Sequence, residues 1–302
     1  MKGNFVKRAA KPMLFAAAFI WGSSFFIMKN ALDAIPVQYL LAIRFTMGAV
    51  LLALICWKRW GKVTVDYLWR GAIIGGCLYL AYSIQTYGLA LTTPSKNAFL
   101  TAVYCVIVPF LYWLFVGVKP DRYNLLAAVL CVSGVGLVSL SGDLSVNLGD
   151  ALTLLCAIFY AAHIVAVAKV SPKKDIYLLT VFQFAFAALY AWIGGALTET
   201  FPVQALANPE ILLPLCYLGV MATTVALLFQ NVGQVNSDPA SAAVILSLES
   251  VFGVLCSVIF ADDSVSLRMA VGFVLIFVAV VCSETKFSFL HRSTARSHKN
   301  LS

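Results

Sequence analysis

Two stretches of this chain repeat each other, and each copy holds an odd number of apolar spans. Trp21, Leu40, Arg44 and Phe45 recur 139 positions on as Tyr160, Leu179, Gln183 and Phe184. Gln85, Gly88, Pro94 and Ala98 recur 145 positions on as Gln230, Gly233, Pro239 and Ala243. With five hydrophobic spans per half, the second half must enter a bilayer upside down relative to the first. Inverted repeats of this kind build secondary transporters, with the substrate site between the halves.

The solvent of such a chain is lipid. Of 302 residues, 62% are hydrophobic and 11% charged, with mean hydropathy +0.92; a soluble domain carries about 25% charged residues. Apolar runs of about 20 residues, the length that crosses a ~30 Å hydrocarbon core, recur along the whole chain. None alternates apolar and polar in the way of an outer-membrane barrel. The reading is an all-α polytopic membrane protein of ten transmembrane helices, at about 13–32, 37–57, 68–91, 95–117, 123–141, 148–169, 175–197, 209–232, 239–260 and 266–284. The domains are a first repeat at 13–141, a second at 148–284 and a basic tail at 285–302, read as disordered. The basic residues before the first span give it the look of a signal peptide, but nine further spans argue for a retained helix. Cys56, Cys77, Cys105, Cys131, Cys156, Cys216, Cys256 and Cys282 all fall in apolar spans without a CxxC pair, and read as small buried packing residues.

The net charge of +8 is a topology signal. With a cytoplasmic N-terminus, the N-tail, alternate loops and C-tail hold 17 of the 21 Lys and Arg, and the opposite side only Lys96 and Arg268. That is the positive-inside pattern, and it places both termini in the cytoplasm. The charge is thus no nucleic-acid footprint, and the basic tail faces anionic lipid. Thr93-Pro94 and Asp238-Pro239 each set a capping residue before a proline at the first helical position, so they open equivalent helices in the two copies. Gly71 and Gly75, and the face of Ser133, Gly134 and Gly136, read as close helix contacts. Such faces pack helices within one chain or between two, which leaves monomer and homodimer both open.

With its duplication and the motifs Trp21-Gly22-Ser23-Ser24-Phe25 and Gly88 through Leu100 (GLALTTPSKNAFL), the chain resembles the drug/metabolite transporter (DMT) superfamily, as a bacterial EamA-type transporter with two EamA repeats. The resemblance implies a basket of ten helices around a central cavity, lined by the third, fourth, eighth and ninth spans with parts of the first and sixth. It further implies export of small metabolites, often amino acids, across a bacterial inner membrane.

Ionisable groups inside a span cost about 2.5–3.5 kcal/mol each on insertion scales, so they point to function. Glu249, near the middle of the ninth span, can take up a proton or meet a substrate ammonium, or tie helices together. His163, mid-span in the sixth, joins it as a candidate proton-coupling group or serves as a packing residue. Protons are the candidate coupling ion. Arg44, opposite Gln183 in the repeat, reads as structural, bound to carbonyls or to Asp33; Lys29, near the end of the first span, reads as able to snorkel outward and as structural or mouth-lining. On the third span Tyr82, Gln85 and Leu89 share a face, and Gln85 and its repeat partner Gln230 either bind a polar ligand from two sides or lock helices together. Trp21, Tyr79, Tyr82, Tyr104 and Tyr160 add aromatic surface with polar tips to the candidate cavity.

No HExxH, GxSxG or GxxxxGK[ST] is present, so no cofactor, metal or ATP-driven step is expected. The leading expectation is a secondary transporter of amino acids or related amphipathic compounds. The alternatives are an intramembrane enzyme on lipid or polyprenyl substrates and a non-transporting sensor.

Overall fold

The computed structural model describes residues 2–140, 146–236 and 239–286. Asp238 and residues 287–302 lie outside these, as do the side chains of Asn231, Pro239 and Ala243. The described chain is helical: α1 (Lys2–Ala31), α2 (Val37–Ile55), α3 (Asp66–Leu91), α4 (Pro94–Ala102), α5 (Tyr104–Val116), α6 (Arg122–Ser139), α7 (Leu148–Val170), α8 (Ile176–Thr198), α9 (Val203–Leu206), α10 (Pro209–Cys216), α11 (Ala226–Val235), α12 (Pro239–Phe260) and α13 (Leu267–Thr285). A 3₁₀ turn, Trp57–Lys62, follows α2, and a π-helical stretch, Tyr217–Val225, joins α10 to α11.

Eight of these segments are long and apolar enough to cross a membrane, with α4–α5 and α10–α11 each counted as one, so the protein is a multi-pass membrane protein. Of α12, Ile245–Phe260 forms a shorter apolar helix. The 26-residue α3 is long enough, but Tyr79, Tyr82, Ser83, Gln85, Thr86 and Tyr87 dilute its hydropathy. A helix this polar is stable in lipid only with its polar side turned to protein or a cavity.

Caps fix where helices begin. Asp121 makes a capping box with Asn124 on α6. The side chains of Asn147, Asp175, Asn208 and Ser266 accept from backbone N–H groups of α7, α8, α10 and α13. Thr93 accepts from the Lys96 N–H with Pro94 at the first position, as the motif suggested.

Two expected single helices are broken, and a proline lies near each break. The fourth span bends at Val103, between α4 and α5. Pro109 has no N–H to give the Cys105 carbonyl, which instead accepts from the Ser283 hydroxyl at 3.3 Å. The eighth span carries Pro214 and then unwinds to π geometry, where the Thr223 and Thr224 hydroxyls bond the carbonyls of Leu218 and Gly219, five residues back. Single π turns inside helices recur at functional sites.

The halves interdigitate. α3 packs on α7 and α8, α1 on α12 and α11, α2 on α8 and the π stretch, α4 on α12 and α7, and α6 on α13. Glycine allows the closest of these approaches. A Cβ on Gly22 would stand 2.7 Å from the Glu249 carbonyl oxygen, and one on Gly75 the same distance from that of Gln183. Gly71 and Gly134 serve as the small-residue reading expected, against Phe182 and Gly272, but Gly136 does not, since a Cβ there would meet only Leu140 at 3.6 Å. Cys216 departs from the packing expectation, being exposed at the junction of α10 and the π stretch.

Candidate functional site

The polar side of α3 faces a stepped cavity between the halves. Its wide compartment, about 680 Å³, lies towards the end of the bundle where α7 and α13 finish and α8 begins, with Val167, Ile176, Thr180 and Glu284 in its wall. Its narrow compartment, about 210 Å³, runs among α1, α2, α3 and α7. Thr101, Tyr104, His163, Ile164, Gln230 and Glu249 line both, so they mark the junction.

Eight of the nine nominated residues meet there. Trp21, Tyr82, Gln85 and Tyr160 line the narrow compartment, and Tyr104, His163, Gln230 and Glu249 the junction. The ninth, Tyr79, lines neither; it turns towards α8, with its ring 6.0 Å from that of Tyr190. The break at Val103 sets Tyr104 at the start of α5, its ring 5.8 Å from Tyr160, which stands edge-on to Tyr82 at 5.3 Å.

The two repeat-related glutamines behave differently. Gln85 is 4% exposed and its amide is engaged twice, donating to Thr101 Oγ1 at 2.9 Å and accepting from the Tyr160 hydroxyl at 2.8 Å. Asn97 adds a bond to the Gln85 carbonyl and another to Thr153, so this copy locks α3, α4 and α7 together. Gln230 and Glu249 make no hydrogen bond to a described residue and face the junction. His163 is tied by Nε2 to Gln183 Oε1 at 3.2 Å.

Arg44 comes closer to the site than its structural reading implied. It is 2% exposed and in the wall of the narrow compartment. Its Nε donates to Thr223 Oγ1 at 2.8 Å, its Nη1 to Met28 Sδ at 3.6 Å, and its guanidinium lies 4.8 Å from the centre of the Tyr82 ring. Asp33 is not its partner; the π stretch carries Thr223 to it instead. Trp21 is held by the same stretch, donating to the Ala222 carbonyl at 2.7 Å.

Beyond the narrow compartment the bundle is sealed by polar contacts. Lys29 does not snorkel out. Its Nζ donates to the carbonyls of Leu89, Ala90 and Thr92 at 2.8, 2.8 and 3.0 Å, because the last carbonyls of α3 lack intrahelical donors and attract a cation. Asp150, fully buried, accepts from Thr92 Oγ1 at 2.5 Å and pairs with Lys96 at 2.8 Å. Asp263 accepts from the Ser95 N–H and the Ser257 hydroxyl. Glu199 gathers the N–H groups of Gln38 and Tyr39 with the Tyr87 hydroxyl.

The opposite end is rimmed by exposed ion pairs: Arg59–Asp175 at 2.8 Å, Lys174–Asp66 at 3.0 Å and Lys286–Asp121 at 2.6 Å. Lys286 holds the Asp121 carboxyl below the usual carboxylate range by hydrogen bond, against slight burial. Two acids therefore stand in the wide compartment, Glu249 and, at its mouth, Glu284. The second escaped sequence reading because a charge at the close of an apolar span looks like a boundary.

Relatives agree with this architecture. The EamA-like transporter family matches residues 10–140 and again 147–285. A protein of Archaeoglobus fulgidus named an uncharacterized transporter is 34% identical over 265 residues, 87% of this chain and 82% of its own length. YvbV of Bacillus subtilis, named likewise, is 23% identical over 274 residues, 88% of each chain. A solved crystal structure superposes with a TM-score of 0.64 over 91% of this chain and 97% of that one, at 18% identity, and so shares its fold. With both halves matched, the chain belongs to the EamA-like transporter family.

Proposed function

We propose that the protein is a secondary transporter that exports small amphipathic metabolites bearing an amino group, amino acids among them, by alternating access of two inverted five-helix repeats. The single observation that carries this reading is the stepped cavity between the halves, with Glu249 and Gln230 at its junction making no hydrogen bond to a described residue, one end sealed and the other wide. On this reading α4–α5, α10–α11 and the full lengths of α3 and α12 count among ten spans.

The packing supports an inverted two-fold. Exchanging each helix for its repeat equivalent turns the pair α3–α7 into α11–α1, α1–α12 into α7 with α4 and α5, and α3–α8 into the π stretch with α2, and all of these pairs touch. The pairs α2–α8, α4–α12 and α6–α13 map onto themselves. The positive-inside pattern supports a cytoplasmic rim of ion pairs; on that reading the wide compartment faces inward, the state from which an exporter loads. Both termini are then cytoplasmic and the membrane is a bacterial inner membrane.

Glu249 is the group assigned to proton or ammonium exchange, with His163 beside it at the junction. The cargo meets the Glu249 carboxylate and the Gln230 amide, while Tyr104, Tyr160, Tyr82 and Trp21 pack its apolar part. Rocking of one repeat against the other exposes the same site to the other side.

The test is uptake of an amino-acid mixture by proteoliposomes, with and without a pH gradient, for wild type and Glu249→Gln. The expected result is gradient-stimulated uptake in wild type and loss of both flux and gradient response in the variant. Unchanged flux and gradient response in the variant would remove Glu249 from the mechanism, and no flux of any solute from wild type would remove the transport reading.

A further inference from the structure

Resting on that transport reading, we propose that the cavity selects cargo of net positive charge, an ammonium or guanidinium compound with an apolar or aromatic body, and that Glu284 is its entry contact. Glu249 and Glu284 line the same compartment, and neither has a hydrogen bond or ion pair with a described residue. Lys286, two residues beyond Glu284, is committed to Asp121 at 2.6 Å. Among the described residues, no Lys or Arg lines the wide compartment. His163, which also lines it, is bonded to Gln183.

A second polar group points the same way. Ser250, beside Glu249, is 4% exposed, lines the wide compartment and makes no hydrogen bond to a described residue. Lining the same compartment as the Glu249 carboxylate, its hydroxyl offers a second oxygen to an ammonium N–H.

Arg44 does not cancel this field at the mouth. It lines only the narrow compartment, held by Thr223 and Met28 against the Tyr82 ring. Carboxylates without partners in a low-dielectric cleft concentrate cations and repel anions. An incoming ammonium therefore meets Glu284 first and then Glu249 and Ser250. The body that follows rests against Tyr104, whose ring face also attracts a cation.

The test is binding to the purified full-length protein of three compounds that share one aromatic skeleton: phenethylammonium, phenylalanine and 3-phenylpropionate. The expected order is cation, then zwitterion, then anion, with about tenfold or more in affinity between first and last, a difference of about 1.4 kcal/mol. Glu284→Gln is expected to weaken phenethylammonium binding about fivefold and Glu284→Asp to restore most of it, on the scale of a single charge contact. The proposal is overturned if 3-phenylpropionate binds as well as the amine. It is equally overturned if a Glu284→Gln variant that unfolds at the wild-type temperature keeps its amine affinity within about twofold. Failure of all three compounds to bind, while proteoliposomes still carry other metabolites, rejects the charge selection and leaves the transport reading standing.

Discussion

At one end of the bundle Asp150 is fully buried between Lys96 and Thr92; at the other, Asp175 meets an Arg59 side chain that is 44% exposed. Both are carboxylate–cation pairs of 2.8 Å, yet they do different work. The buried pair joins the start of α7 to the start of α4 beside the Lys29 cap on α3, so three helix ends move only together. The exposed pair ties a loop to the first turn of α8 where water competes for both partners. Ion pairs in water contribute about 0–1 kcal/mol, whereas removing one partner of a buried pair costs about 3–5 kcal/mol. The closed end is therefore held by buried contacts that must break as a set, and the open end by exposed pairs that can slip singly. That asymmetry is what the proposed alternating access needs.

The sharpest way to break the comparison is Asp150→Ala. It strands Lys96, 21% exposed, and frees the Thr92 hydroxyl, at an expected cost of about 3 kcal/mol, the low end for a buried pair because Lys96 partly reaches water. Unfolding in detergent measures that loss. Maleimide labelling of a cysteine introduced at Thr101, applied from the sealed side, is expected to rise if this end gates the cavity; labelling at the wild-type rate would assign Asp150 to stability alone. Gly22→Leu attacks the joint between the ends. Its side chain would drive into Phe252 and the Glu249 carbonyl, and the expected loss is about 2 kcal/mol with displacement of Glu249. Gly61→Leu is the control, since a Cβ there meets nothing within 4 Å. Equal stability of the two variants would refute the close approach of α1 and α12.

Much of this site was legible in the sequence, and the physical reason is lipid. An ionisable residue in mid-span is expensive, so Glu249 and His163 stood out and both line the cavity. Thr93-Pro94 was legible because a cap before a proline is a local signal. What escaped depends on partners far away in the chain. Pro109 and Pro214 were visible, but Ser283 and Arg44, the partners of the groups near those breaks, lie 178 and 179 residues distant from Cys105 and Thr223. Lys29 was read by its position near a helix end, where snorkelling is the usual outcome; the bare carbonyls of α3 beside it are a tertiary fact. Glu284 was hidden by its place at a span boundary, although the bundle leaves the cavity open at that depth.

The smallest expected effect sharpens the comparison at the open end, and acid is the tool. Partial burial works against ionisation of Asp175, but the Arg59 hydrogen bond and charge, with the N–H groups of Tyr177 and Leu178, outweigh it and hold the carboxyl below the usual range. A carboxyl lowered on folding contributes stability that is present above its unfolded value, about 3.9, and is lost as pH falls through the folded value. Between pH 7 and pH 5 the rim pair is therefore expected to hold, and Arg59→Ala to cost less than about 1 kcal/mol, since the guanidinium is nearly half exposed. As pH falls from about 4 through the lower folded value, wild type and Arg59→Ala should converge in unfolding temperature, because protonated Asp175 has no charge left to pair. If they stay apart there, Arg59 acts through its stacking 4.5 Å over the Tyr177 ring, a contact that acid leaves intact. The rim would then be an aromatic clamp on α8, and the open end would be held more firmly than its ion pairs alone allow.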